Sequence, residues 1–286
     1  MPPPRPAASP PVAALQTAPR LPPLEARAIE AALPDGCELQ VEVVASTGST
    51  NADLVDRARL AAPQRPVLRA AWEQRAGRGR DGRRWHAAPG SALMFSIAVP
   101  LRTRTLHPAI TLACGVAIAR ELRAVGVTVE VKWPNDLLVD GAKLGGVLSE
   151  VAIDPQRAAT IVVGVGLNLW MDEAVTAAIG APVATLAQSI DPGRLAAERE
   201  AWLARLAAAV VDAVRAVGAA GFAPWRSSFD ALFAYRGRAI ELRDRGAAIA
   251  RGVALGVDDD GQLLVETPVG TSAYLCGDLS LRLAGA

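Results

Sequence analysis

The chain has 286 residues, 51% hydrophobic and 21% charged, enough for one substantial core and a small companion domain. Its 30 basic and 29 acidic residues give a net charge of +1, so no overall field draws it to nucleic acid or anionic lipid. Three scattered cysteines (Cys37, Cys114, Cys276) and two histidines exclude a disulfide framework and an ordinary zinc site, and suit a reducing compartment such as the cytoplasm.

Residues 1–23 hold nine prolines and no acidic residue. Such a segment buries too little to offset its ordering entropy, so a solvated tail is expected. A short amphipathic helix follows from Leu24 to about Leu33, then a strand at Val41–Val44, a helix over Asn51–Leu60 and strands at Val67–Trp72 and Ala92–Val99. The last is apolar on both faces, as in a buried sheet. Leu112–Val125 has helical spacing and a stop at Gly126. Strands at Val127–Lys132, Asp136–Val139, Leu144–Ile153 and Thr160–Leu169 form a meander, with Asp140-Gly141 as a hairpin signal. A long amphipathic helix is expected over Leu195–Val217 and a shorter one over Phe222–Ala234. Five short strands then close the chain: Ala239–Arg243, Ile249–Val257, Gln262–Glu266, Thr271–Leu275 and Leu279–Leu283. The expected fold is α+β, a mostly antiparallel sheet with helices over 24–235, then a small SH3-like β-barrel over 236–286. Mean hydropathy is +0.24, but no stretch approaches the roughly 18 unbroken apolar residues of a membrane span.

Four segments carry chemistry. Gly77 to Trp85 packs four arginines, three glycines and a tryptophan into nine residues after a strand. Glycines let backbone N–H groups approach an anion, guanidinium forks bind it, and the indole offers a stacking face. A solvated basic loop is the competing reading. The second segment runs Lys132-Trp133-Pro134-Asn135-Asp136 and on through Lys143, placing two ammonium groups at neighbouring hairpin edges. Gly145-Gly146 within the strand suggests close approach of a ligand. Ser49-Thr50-Asn51 reads locally as a helix cap. Gly164-Val165-Gly166-Leu167-Asn168 reads equally well as a bend or bulge.

Taken in order, STN, EQRAGRGRDGRRW, KWPNDLLVDGAKLGGVLSE and GVGLNL resemble the biotin protein ligases from about Ser46 to the C-terminus. That resemblance implies a class II synthetase-like catalytic fold and two coupled steps. Biotin and Mg2+-ATP give biotinyl-5′-AMP, and a lysine of a biotin carboxyl carrier protein then takes the biotin. It also implies roles. Ser49, Thr50, Asn51 and Gln74 would hold biotin's ureido ring, while Arg78, Gly79, Arg80 and Lys143 would lie over its carboxylate and the phosphate. Lys143 and Arg78 would be the catalytic pair. Lys132, Asn135, Asp136 and Asn168 would serve the nucleotide and its magnesium, Trp85 would pack near the adenine, and no protein-bound metal is expected. The 77–85 loop would close over the adenylate and shield it from water.

Some family members start with a DNA-binding module that represses biotin genes. The proline-rich stretch here is too short for three helices, so a ligase-only form without DNA binding is expected. The family also allows a homodimer. A lipoate ligase or octanoyltransferase of the same fold competes with this reading but lacks the GRGRxGRxW loop. A non-enzymatic biotin-sensing regulator is the alternative of another class.

Overall fold

The computed structural model describes residues 21–101, 107–171, 176, 179–275 and 279–284. Two sheets organise it. The larger is built from β1 (Gln40–Thr47), β2 (Val67–Gln74), β3 (Ala92–Pro100), β4 (Glu130–Lys132), β5 (Asp136–Val139), β6 (Ala142–Ile153) and β7 (Ala159–Asn168), in the spatial order β1-β2-β3-β7-β6-β5-β4. Only β1 and β2 are parallel, joined by α2 (Thr50–Leu60); every other neighbouring pair is antiparallel.

Both faces of this sheet are covered, which explains why β3 is apolar throughout. Leu93, Phe95, Ile97 and Val99 point with Val163 and Val165 toward α3 (Ile110–Ala124) and α4 (Pro192–Ala220). Ala98 and Val162 point the other way, against Leu54, Val55 and Ala58 of α2. The alternation places Gly164 and Gly166 of β7 on the α2 face, opposite Val163 and Val165.

Several boundaries differ from the sequence reading. The first helix, α1, spans only Ala26–Ala31. β4 starts at Glu130 because its ladder partner β5 is only four residues long. The helix expected over Phe222–Ala234 is a 3-10 turn, Ala223–Trp225, followed by α5 (Arg226–Leu232). Pro224 sits in that turn, where its missing N–H is tolerated. Residues 21–23, counted with the tail, are tied to the domain by Leu21 and by their carbonyls, although Pro22 and Pro23 are exposed. Leu21 is buried, its carbonyl accepts from Trp72 Nε1 at 2.7 Å, and Arg199 Nη1 donates to the Pro22 carbonyl at 2.7 Å. The rest of the expected tail, 1–20, lies outside the described residues, as does Cys276.

The second sheet holds β8 (Ala239–Asp244), β9 (Ala247–Val257), β10 (Leu263–Thr267), β11 (Gly270–Tyr274) and β12 (Leu279–Leu283), all antiparallel, in the order β11-β10-β9-β8-β12. It is the small β unit expected at the C-terminus, bent by register shifts at Leu242/Arg243 and Leu264/Val265. It docks on the β4–β6 meander through Trp133. That side chain is fully buried and donates from Nε1 to the Gly261 carbonyl at 3.2 Å. Gly261 has φ +78° and rests against Ala109 and Leu112, so a side chain there would be both strained and obstructed.

Among the described residues no helix is long and apolar enough to cross a membrane.

Candidate active site

A cleft of about 890 Å3 opens on the α2 face of the large sheet, walled on one side by β12. One end is built by the start of α2. Ser49 caps that helix, its hydroxyl accepting from the Ala52 N–H, which points the buried Thr50 and Asn51 side chains toward β2, β3 and β7. Gln74 ends β2 in register with Thr47. Its Oε1 accepts from the Thr50 N–H at 2.7 Å, and Thr50 Oγ1 meets Ser96 Oγ at 2.8 Å. Asn51 Nδ2 is bonded to Glu150, whereas Asn51 Oδ1 is buried with no partner. A buried acceptor left unpaired is costly, so this atom is available to a donor from a bound molecule or a water. Gly164 leaves the space beside it, since a Cβ there would lie 2.8 Å from Asn51 Oδ1.

The end is held rigid from behind. Asp53 accepts from Thr47 and from Arg69 Nε, and Arg69 also reaches Glu42. Arg57 binds Glu42 through two N–H donors at 2.7 and 2.9 Å and, as the main cause, holds its carboxyl below the usual range.

At the other end the 77–85 loop is a miniature hairpin. Gly79 N–H donates to the Arg83 carbonyl at 2.7 Å and Trp85 N–H to the Gly77 carbonyl at 3.0 Å. Asp81 and Gly82 form its tip with positive φ. Arg80 bridges to Asn135 Oδ1 and to the Leu279 carbonyl of β12, both at 3.3 Å. The Arg78 guanidinium lines the cleft with no protein partner among the described residues. The Trp85 indole packs against Gly166, where a Cβ would sit 2.7 Å from two indole atoms. Its Nε1–H is buried without an acceptor.

Lys132, Asn135, Asp136 and Lys143 meet because β4, β5 and β6 turn tightly. Asp140 and Gly141, both at positive φ, make the hairpin turn that returns Lys143 beside Asp136. Lys143 Nζ is 2.5 Å from Asp136 Oδ1 and Lys132 Nζ is 3.5 Å from Asp136 Oδ2. Lys132 also lies 5.9 Å from the centre of the Tyr235 ring, whose hydroxyl is pushed up by burial and then by Asp136. Gly146 pairs with Gly166 and gives a side-chain-free floor under Lys143.

Seven basic side chains line the cleft: Arg78, Arg80, Arg83, Arg84, Lys132, Lys143 and Arg282. Among the described residues Asp81 and Asp136 are the only carboxylates of the lining. A nearly neutral chain thus carries a local excess of positive charge in this cleft.

Residues 43–168 match the model of the biotin/lipoate A/B protein ligase family, and residues 236–282 match the biotin protein ligase C terminal domain. Over 258 residues the chain is 32% identical to a biotin–[acetyl-CoA-carboxylase] ligase of Mycobacterium tuberculosis, covering 84% of this chain and 88% of that one. The chain belongs to the biotin/lipoate A/B protein ligase family. Its similarity to a Paracoccus denitrificans protein of the same name is 33% over 254 residues, covering 80% of this chain and 95% of that one. The biotin protein ligase from Aquifex aeolicus, solved in complex with biotin and ATP, shares the fold with a TM-score of 0.68 at 22% identity, over 86% of this chain and 99% of that chain.

Within this family fold, twelve of the residues singled out in sequence share one cleft: Ser49, Thr50, Asn51, Gln74, Arg78, Gly79, Arg80, Trp85, Lys132, Asn135, Asp136 and Lys143. Asn168 does not line it. It is buried behind β6, its Nδ2 donating to the Lys143 carbonyl at 3.3 Å and the Ala184 carbonyl at 3.1 Å. One amide hydrogen thus goes to the strand that carries Lys143 and the other to the 181–184 segment bridged beside it, so the Asn168 amide nitrogen faces backbone here.

Sequence reasoning missed Ser96, Tyr235 and the β12 wall, Leu279 to Leu283. Ser96 had a signal, as a polar residue inside an apolar strand. Tyr235 and β12 arrive only through packing of the C-terminal sheet.

Proposed function

We propose that the protein is an ATP-dependent biotin protein ligase that forms biotinyl-5′-AMP and transfers biotin to a lysine of a biotin carboxyl carrier protein or domain. The observation that carries this reading is the polarity of the cleft. One end offers buried amide and hydroxyl groups with an unsatisfied acceptor at Asn51, and beyond it the lining carries the Lys132–Lys143 pair and the arginines of the 77–85 loop. The first end suits a neutral urea ring with N–H donors; the second suits a carboxylate meeting a triphosphate. Names of the relatives and the complex of the structural neighbour point the same way.

In the first step the biotin carboxylate attacks the α-phosphorus and pyrophosphate departs. Lys143 and Arg78 stabilise charge on the carboxylate and phosphoryl oxygens as it builds up. Lys132, Asn135 and Arg80 hold the nucleotide, with Trp85 packing near its adenine. In the second step a neutral acceptor amine attacks the acyl carbon and AMP leaves. Among the described residues no cluster could cage a metal, and Asp81 and Asp136 are the only acidic groups in the lining. That donor set fits a magnesium ion carried in on the nucleotide, held by phosphates and at most one protein carboxylate. Such an ion neutralises charge on the phosphates. The free thiols Cys37 and Cys114 support a cytoplasmic setting.

The test is biotin-dependent pyrophosphate exchange, followed by transfer of labelled biotin to a carrier domain with and without ATP. Exchange supported by lipoate but not by biotin overturns the assignment.

A further inference from the structure

Lysine is ordinarily among the commonest residues of a soluble domain. Of the 30 basic residues in this chain, Lys132 and Lys143 are the only lysines. The other 28 are arginines. Both lysines lie in the cleft, on the two oxygens of Asp136. The two lysines kept are those of the KWPND–K block that the site uses, and every other basic position of the chain carries a guanidinium.

The consequence is chemical. A mixed carboxylic–phosphoric anhydride is attacked by amines. The amine lone pair adds to the acyl carbon, an amide C–N bond forms, the acyl C–O bond breaks, AMP leaves with the electron pair and the amine's proton passes to solvent. An arginine guanidinium stays protonated with its lone pair delocalised, so it binds the phosphate without taking the acyl group. Lys143, which must stand next to the anhydride to catalyse its formation, donates to Asp136 at 2.5 Å. An ammonium has donors only and no lone pair to attack. Around the cleft mouth every other cation, from Arg78 and Arg83 to Arg282, is a guanidinium.

We propose that the chain is built not to acylate its own side chains: arginine stands at every other basic position, and the two side-chain amines that catalysis needs are held on Asp136, so the adenylate waits for an amine from another protein. This rests on the ligase reading above. The experiment places an amine where none exists. Ser280 on β12 lines the cleft and has no role in the proposed chemistry. Wild type, Ser280→Lys and Ser280→Arg are incubated with biotin and Mg2+-ATP without acceptor, then read by intact mass and peptide mapping, with pyrophosphate exchange run in parallel. Expected is one biotinyl group on Ser280→Lys at residue 280, with none on a side chain of wild type or Ser280→Arg. Two outcomes overturn the proposal: wild type biotinylated on Lys132 or Lys143 as fast as Ser280→Lys at its new amine, or Ser280→Lys bare while its exchange proceeds. Absence of biotin-dependent exchange in all three proteins overturns the ligase reading instead.

Discussion

Gly166→Ala tests the cleft floor directly. The added methyl would lie 2.7 Å from two carbons of the Trp85 ring, against a normal contact of 3.4–4 Å. The indole must therefore shift by about 1 Å. Relief within the sheet is blocked because Gly166 is paired on both sides, to Met94 and to Gly146. Overpacking of this kind costs roughly 1–3 kcal/mol when the neighbour cannot move. Trp85 belongs to a hairpin on the surface, so most of the strain should appear as displacement of the loop rather than as lost stability. A displacement of that size at a reacting centre lowers turnover by on the order of 10²-fold. Pyrophosphate exchange gives kcat and KM for biotin and for ATP, and a thermal melt reports stability. The expected result is a large fall in kcat/KM for biotin with a nearly unchanged melt. Wild-type kcat and KM in a folded Gly166→Ala variant would refute the placement of Trp85 on the floor. Gly164→Ala is the companion variant. Its methyl crowds Asn51 Oδ1 at 2.8 Å, so it should raise the biotin KM and leave the ATP KM alone.

Lys143→Ala should lower the rate of adenylate formation by about 10²–10³-fold, the usual loss for a preorganised charge aimed at a developing oxyanion; single-turnover formation of biotinyl-AMP measures it. Trp133→Phe removes a buried donor and strands the Gly261 carbonyl, which costs about 1–3 kcal/mol and should lower the melting temperature by roughly 2–4 °C per kcal/mol. Because Lys132 and Asn135 flank Trp133, the ATP KM should rise more than the biotin KM, and equal changes in both would argue against positioning by the small sheet. Trypsin should cut the 78–84 arginines more slowly once biotin and ATP are bound, as the hairpin is held over the adenylate; an unchanged cleavage rate would count against closure. Glu42 has a depressed folded-state pKa, so its ion pair with Arg57 stabilises the fold above the ordinary carboxylate range and the contribution fades as pH falls through the folded value. The pair is partly exposed, so Glu42→Gln should cost no more than about 1 kcal/mol near neutral pH, and the gap from wild type should close in acid; urea midpoints across pH follow it.

Local chemistry determined much of this protein. The Asp140-Gly141 turn, the Ser49 cap and the alternation of β7 follow from rules acting over a few residues, and the arginine–glycine loop announces an anion site by composition alone. Asn168 shows the limit of that reading. Its motif marks it as special, yet whether its amide faces a nucleotide or the backbone of β6 depends on the 181–184 segment packing beside Lys143. The fusion of β1 and β2 into a parallel pair, the seating of Trp85 on Gly166, and the wall supplied by β12 are likewise contacts between segments far apart in the chain. Even the meeting of the two lysines on Asp136 needed the turn geometry of three strands, although both were visible in the sequence. Short-range propensity sets which residues are available. Burial of Trp133 against the small sheet, and of the β3 side chains on both faces of the large one, decides which of them share a site.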